Sequence, residues 1–250
     1  MVKLATLIFM LLLQGCVSYP PAPDYEIKKG EKIGVWVDVG NQVTHTHVGN
    51  TVFNNFEKNY DLNWHLSEDI SGKLKQKLTK AGFDYVEISN QDFKYEDLNE
   101  LIHPENGHWE INASKQSVYK KLQDVGLKGI IVVKEKPVTA LLECAGGPCS
   151  DWITPNSGLF TRSIFFSTFY RPVAALETNI FLLNPPADLS KGNAFQDVQK
   201  LRSANLRNYK SPADFKNLTS DEWLPIESAI KDYINKMTSS AVESLSHKSN

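Results

Sequence analysis

The sequence predicts an α/β (α+β) fold: a mixed sheet with helices packed on it, an antiparallel ribbon and a long carboxy-terminal helix. Three observations predict it. Residues 127–134 hold Ile130, Ile131, Val132 and Val133 in succession, without alternation, as a strand covered on both faces requires. Leu66, Ile70, Leu74 and Leu78 recur at helical spacing, as do Ile226, Ile230, Tyr233, Ile234, Met237 and Ala241. Leu176, Thr178, Ile180 and Leu182 alternate with Glu177 and Asn179, the pattern of a half-solvated strand.

In chain order, the fold begins near Glu31. Residues 32–39 carry Ile33, Val35, Trp36, Val37 and Val39 before Gly40-Asn41, a short buried strand with Asp38 close to its carboxyl end. Residues 42–63 are polar and aromatic with no sustained period, which predicts a long, partly irregular connection. The first helix follows, with Ser67 as its N-cap, Glu68 and Asp69 at its positive end and Gly82 just past its last turn. Residues 83–89 alternate as a second strand. Pro104, Gly107 and the charges of 95–112 predict a surface excursion with a short helix around 96–102.

The next helix, 114–125, places Val118, Tyr119, Leu122 and Val125 on one side and ends at Gly126. The apolar run of 127–134 then supplies the central strand. Residues 137–160 read as a Gly- and Pro-rich loop. Residues 162–170 and 173–183 read as a ribbon turning at Arg171-Pro172, with Pro185-Pro186 ending its second strand. After a mixed segment at 187–217, Thr219 or Ser220 caps the final helix, where Pro225 falls in the first turns. That helix has one long apolar face, which needs a sheet to cover. The organisation expected is a signal at 1–15, a tether at 16–30, one domain at 31–246 and a tail at 247–250.

Composition narrows the function classes. Lys and Arg number 27 against 29 Asp and Glu, a net charge of −2, so no basic field points to nucleic acid. Aromatics at 10% and hydrophobics at 41% are values of a packed globule, not of a disordered stalk.

The amino terminus carries an address. Lys3 precedes an apolar run from Leu4 to Leu13, too short for the ~20 residues that span a bilayer, so the segment reads as an export signal. Its ending, Leu13-Gln14-Gly15-Cys16, resembles a bacterial lipobox; the alternative is an ordinary secretory signal with an unrelated Cys. The resemblance implies that Cys16 becomes the acylated first residue, and several chains at ~0.8 kcal/mol per buried methylene make a stable anchor. Val17 after it implies, for a Gram-negative lipoprotein, the outer membrane with the domain facing the periplasm. Pro20, Pro21 and Pro23 suggest a tether that lifts the domain off that membrane.

Cys144 and Cys149 flank Ala-Gly-Gly-Pro, a turn that brings two Cβ atoms close, and an exported protein meets an oxidising compartment. A disulfide is expected, the alternatives being free or metal-binding thiols. The histidines His45 and His47 stand two apart, so they face one side if extended; with Asp38 they form the first ligand or metal candidate. The plainer alternatives are exposed loop histidines and a turn aspartate. No nucleophile elbow, zinc motif, phosphate loop or dinucleotide fingerprint occurs, no cofactor is expected, and no catalytic or metal-binding set is assigned. Trp152, Phe160, Phe165, Phe166, Phe169 and Tyr170 follow the stapled loop; core packing accounts for such a set, or it is a binding surface with Trp152 and Phe160 foremost.

The order strand, helix, strand, helix, strand, ribbon, terminal helix resembles the amino-terminal α/β domain of TolB and is similar to the core of curli-secretion-channel lipoproteins. Both resemblances imply non-enzymatic work, binding or assembling envelope proteins, and neither carries over a functional residue. The reading is therefore a lipid-anchored envelope factor that binds a protein partner. The rivals are a periplasmic enzyme or ligand-binding domain using Asp38, His45 and His47, and an oligomeric channel component whose ribbon joins a barrel, which needs longer alternation than the ribbon shows.

Overall fold

A computed structural model describes residues 19–144 and 148–246. The signal, Cys16 and the tail at 247–250 lie outside the described residues. The chain forms strands β1 (Lys32–Asp38), β2 (Gln42–Val48) and β3 (Phe56–Asp61), helix α1 (Leu66–Ala81), β4 (Asp84–Glu87) and the single turn α2 (Tyr95–Leu98). It continues with β5 (Ile102–Glu105), β6 (His108–Ile111), α3 (Gln116–Asp124), β7 (Leu127–Glu135), β8 (Val138–Glu143) and β9 (Ser150–Thr154). The last elements are β10 (Gly158–Ile164), β11 (Ser167–Val173), β12 (Leu176–Leu183), β13 (Pro186–Asp188), α4 (Asn193–Gln199) and α5 (Ser220–Ser246).

The first sheet has the order β13-β12-β7-β1-β4, with β7 at its centre as the unalternated run predicts. β1 runs parallel to β7 and β4, whereas β12 is antiparallel to β7, so the sheet is mixed. Successive residues of β7 serve opposite faces. Ile131 and Val133 join Ile33, Leu176 and Ile180 beneath α1 and α5, through Ile70, Leu74, Ile226, Ile230 and Ile234. Ile130 and Val132 join Trp36, Phe181 and Leu183 against Leu98, Tyr119 and Leu122 of α2, α3 and their flanks. Because β12 packs on both faces, Asn179 is buried too, and the half-solvated strand expected there is corrected.

Helix ends follow local chemistry with one exception. Gly82 takes the left-handed conformation at φ 91° and its N–H closes α1 on Leu78 and Thr79. At the amino end His65, at φ 49°, is the N-cap, and Ser67 lies inside the helix. For α5, the Thr219 hydroxyl accepts from the Glu222 N–H at 3.4 Å while the Glu222 carboxylate accepts from the Thr219 N–H at 2.7 Å, a capping box.

A second sheet, in order β11-β10-β2-β3, and a separate two-stranded sheet of β8 and β9 correct three expectations. The connection at 42–63 is a regular hairpin, β2 with β3. The loop at 137–160 contains the hairpin of β8 and β9, closed by a Cys144–Cys149 disulfide. The ribbon turns at Phe165-Phe166, not at Arg171-Pro172, and β12 belongs to the first sheet. Pro172 fits inside β11 because β11 is an edge strand. β2 and β10 run side by side and parallel, and Gly158 permits it: a Cβ there would lie 2.1 Å from the Thr44 carbonyl oxygen.

The segment read as a tether is docked instead. The Trp109 indole donates to the Pro21 carbonyl at 3.1 Å and stacks on Tyr19, the Tyr25 hydroxyl donates to the Ser244 carbonyl, and Gly30 donates to the Gly82 carbonyl at 2.8 Å. Tyr25 and Ile27 pack on the main core. Proline-rich composition keeps the backbone extended, and two tyrosines give that extended chain something to bury. Residues 19–30 are a strap along the domain.

Candidate functional site: an apolar tip on the second sheet

β2 and β10, parallel neighbours of seven residues each, end together, so the loops that follow them meet at the same end of the sheet. The Asn50 side chain joins them: its amide donates to the Phe165 carbonyl at 3.2 Å and accepts from the Phe165 N–H at 2.7 Å. The Arg162 guanidinium donates to the Gly49 carbonyl at 2.7 Å, and the Asn55 side chain accepts from the Gly49 N–H at 2.9 Å. With their main chain tied in this way, the loops present large apolar side chains to solvent. Val52 is 75% exposed, Phe53 93%, Phe165 84% and Phe166 fully exposed. No charged residue occurs from Gly49 to Asn55 or from Ser163 to Thr168. At ~25 cal/mol per Å2, covering two or three such aromatics supplies several kcal/mol.

A polar brace supports the tip from the β8–β9 hairpin. Glu143, next to the disulfide, accepts from the Arg162 Nε at 3.0 Å and from the Trp152 indole at 3.1 Å, and Arg162 lies over the Trp152 ring at 5.7 Å. The Arg162 hydrogen bond holds the Glu143 carboxyl below its ordinary pKa. Trp152 is therefore pinned under Arg162 and partly buried. Phe160, the other expected contact, is wholly buried among Val48, Val138, Ala140 and Val173, and its role as a partner contact is corrected to core packing.

The histidine pair is brought together, but inside. His45 Nε2 lies 2.9 Å and His47 Nδ1 2.7 Å from the Thr161 hydroxyl, all three buried. One hydroxyl between two imidazoles donates to one and accepts from the other, so at least the accepting ring is neutral. Burial pushes the His45 pKa down to about 3, with His47 adding to the shift and the Phe215 backbone opposing it. The His45 Nδ1 has no hydrogen-bond partner of good geometry. His47 is lowered as well, by burial and then by Arg162. The arrangement has the form of an activated hydroxyl, yet Phe56 and Phe215 pack on the histidines and Thr161 has no solvent exposure. The expectation of exposed loop histidines is corrected, because the strand turns them inward. Asp38 stands apart from them, half-exposed and ion-paired with Lys134 at 2.9 Å. Among the described residues no group of three potential metal ligands occurs, and no helix is long and apolar enough to cross a membrane.

Sequence reasoning named Phe165 and Phe166 but missed Val52 and Phe53. The available signal was an uncharged, Asn- and Gly-rich stretch with two large apolar residues between alternating flanks. Comparison with protein families, curated proteins and solved structures gives no match to any family model, curated protein or solved structure.

Proposed function

We propose that this chain is a lipid-anchored envelope protein that works by binding another protein through the paired hairpin tips. The observation that carries the reading is the apolar tip itself. Exposed phenylalanines on loops that carry no charged residue and whose backbone is already hydrogen-bonded are arranged to be covered. A preorganised contact of this kind loses little entropy when it docks. That the tip and the first described residues belong to different elements supports a protein rather than the anchoring bilayer as the cover. The described chain begins at Tyr19, against Trp109 and Lys191 of the first-sheet half. The tips close one end of the second sheet, beyond strands about 23 Å long.

Photo-crosslinking in cells from position 53 and from position 166 tests the reading, with position 224, on exposed Leu224 of α5, as the comparison site. The expected result is one shared adduct from both tip positions, absent from 224 and, from position 166, abolished in Phe53→Ser/Phe165→Ser. No adduct, or the same adducts from all three positions, counts against it.

A further inference from the structure

β13 pairs only with the last residues of β12, Phe181 to Leu183, so the edge of β12 before them is open. The one-turn helix Lys200–Arg202 and residues 136–139 flank that open edge and leave a cavity of about 230 Å3. Three cations line it, Lys136, Lys191 and Arg202, against a single carboxylate, Glu177. Glu177 is already engaged: both its oxygens accept from Lys136 at 2.9 Å, and it accepts from the Tyr95 hydroxyl. Lys191 lies 3.9 Å from Asp188, which is outside the cavity. Among the described residues the Arg202 side chain has no ion pair or hydrogen bond, although it is half-buried. In a chain of net charge −2, this is a local excess of positive charge.

A second observation is independent of charge. Thr178 and Asn179 line the same cavity and are 2% and 6% exposed, yet the Thr178 hydroxyl and the Asn179 side-chain oxygen have no hydrogen-bond partner. Unsatisfied buried polar atoms cost ~1–3 kcal/mol each; the two side chains leave opposite faces of β12, beside Val133 and Val132, so a ligand at the open edge meets one or the other. The two ends of an amide are interchangeable by rotation, so Asn179 offers a donor as readily as an acceptor. The remaining polar group, the Gln199 side chain, is spent on the Thr178 carbonyl at 3.2 Å.

We infer that this cavity binds a phosphate group. A guanidinium grips two oxygens at once, three cations against one carboxylate leave a surplus of two positive charges to balance a charge near −2, and a hydroxyl or an amide donates to a remaining oxygen. A carboxylate uses fewer of these donors and leaves cationic charge uncompensated. The same chemistry has two sources, free phosphate and a phospholipid headgroup. Lys191 links the cavity to the second source, because its ammonium also stands 5.8 Å over the Tyr19 ring, three residues from Cys16. That arm rests on the reading of Cys16 as the anchored residue; the site itself does not, and it is independent of the apolar tip.

The test is calorimetry and thermal melting on the detergent-solubilised full-length protein with two probes, inorganic phosphate and dihexanoylphosphatidic acid below its micelle concentration. Sodium chloride at matched ionic strength is the control. Saturable binding is expected, weakened about tenfold or more in Arg202→Gln and in Lys191→Gln, with Arg202→Lys intermediate. Tighter binding of the lipid than of the ion identifies the headgroup as the source, and equal or weaker binding identifies the free ion. Thr178→Val, which removes an orphan hydroxyl, is expected to melt at or above the parent temperature without ligand and to bind more weakly. It keeps the inference testable if a charge variant fails to fold. Absence of saturable binding to both probes, unchanged affinity in the variants that fold, or an equal shift with sodium chloride overturns the inference.

Discussion

At the scale of the residue, the second sheet depends on polar groups that solve one another's burial. Thr161 is held between His45 and His47, and the Thr44 hydroxyl donates to Asn59 while accepting from Asn156. The consequence is a pH dependence whose sign is fixed. The folded His45 has a pKa lowered to about 3, whereas an unfolded histidine takes up its proton near pH ~6.5. Its contribution is therefore complete above that unfolded value and is lost as pH falls through the interval between the two. The slope there approaches ~1.4 kcal/mol per pH unit. Urea midpoints measured from about pH 7.5 to about pH 4 are expected to fall, and to fall less steeply for His45→Gln. Parallel pH profiles for the two proteins would show that His45 is not the group responsible.

At the scale of the element, the β8–β9 hairpin is a brace whose own turn is stapled. The disulfide bounds the chain between Glu143 and Ser150, and Glu143 is the acceptor that fixes both Arg162 and Trp152. A ring this short restricts the unfolded chain less than a fifteen-residue loop, so its loss costs less than ~3 kcal/mol. For Cys144→Ser/Cys149→Ser, cooperative urea unfolding at a lower midpoint is expected, and loss of the cooperative transition would show the staple to be essential to the whole fold. Elements were legible in unequal measure. The helices α1 and α5 and the strands β1, β4, β7 and β12 announce themselves because their periodicity is local and apolar. β2 and β3 did not, because Thr44, His45 and His47 are buried polar residues whose partners lie more than a hundred positions away or on the facing strand. Pro172 drew the ribbon's turn to the wrong place, since only the sheet order reveals that β11 is an edge where proline is tolerated.

At the scale of the whole molecule, the strap sets how far Cys16 can stand from the domain. A free segment of residues 16–30 gives a reach of several tens of ångströms, but with Tyr19 seated on Trp109 only Val17 and Ser18 separate it from Cys16, a reach of ~10 Å. The strap is held mainly by Trp109 and Tyr25. Trp109→Ala is expected to raise the rate of proteolysis within residues 19–28 severalfold, while the midpoint of global unfolding moves little. Unchanged cleavage would mean that the strap is held elsewhere. The candidate site shows the same division. Phe165 and Phe166 were visible as apolar residues, but that they meet Val52 and Phe53 at one tip follows from parallel pairing of β2 with β10, a long-range fact.

The sequence by itself determined the α/β class, the central strand, the long terminal helix, the expected staple between Cys144 and Cys149, and the absence of a basic field. Each depends on residues near one another in the chain, or on composition, where side-chain chemistry and spacing suffice. Tertiary structure alone decided that two hairpins share a sheet, that the histidines face inward, that the strap is docked and that Lys136, Lys191 and Arg202 line one cavity. The physical reason is separation: Asn50 clasps Phe165 across 115 positions, and such a contact is specified by the packing of everything between, not by a pattern at either end.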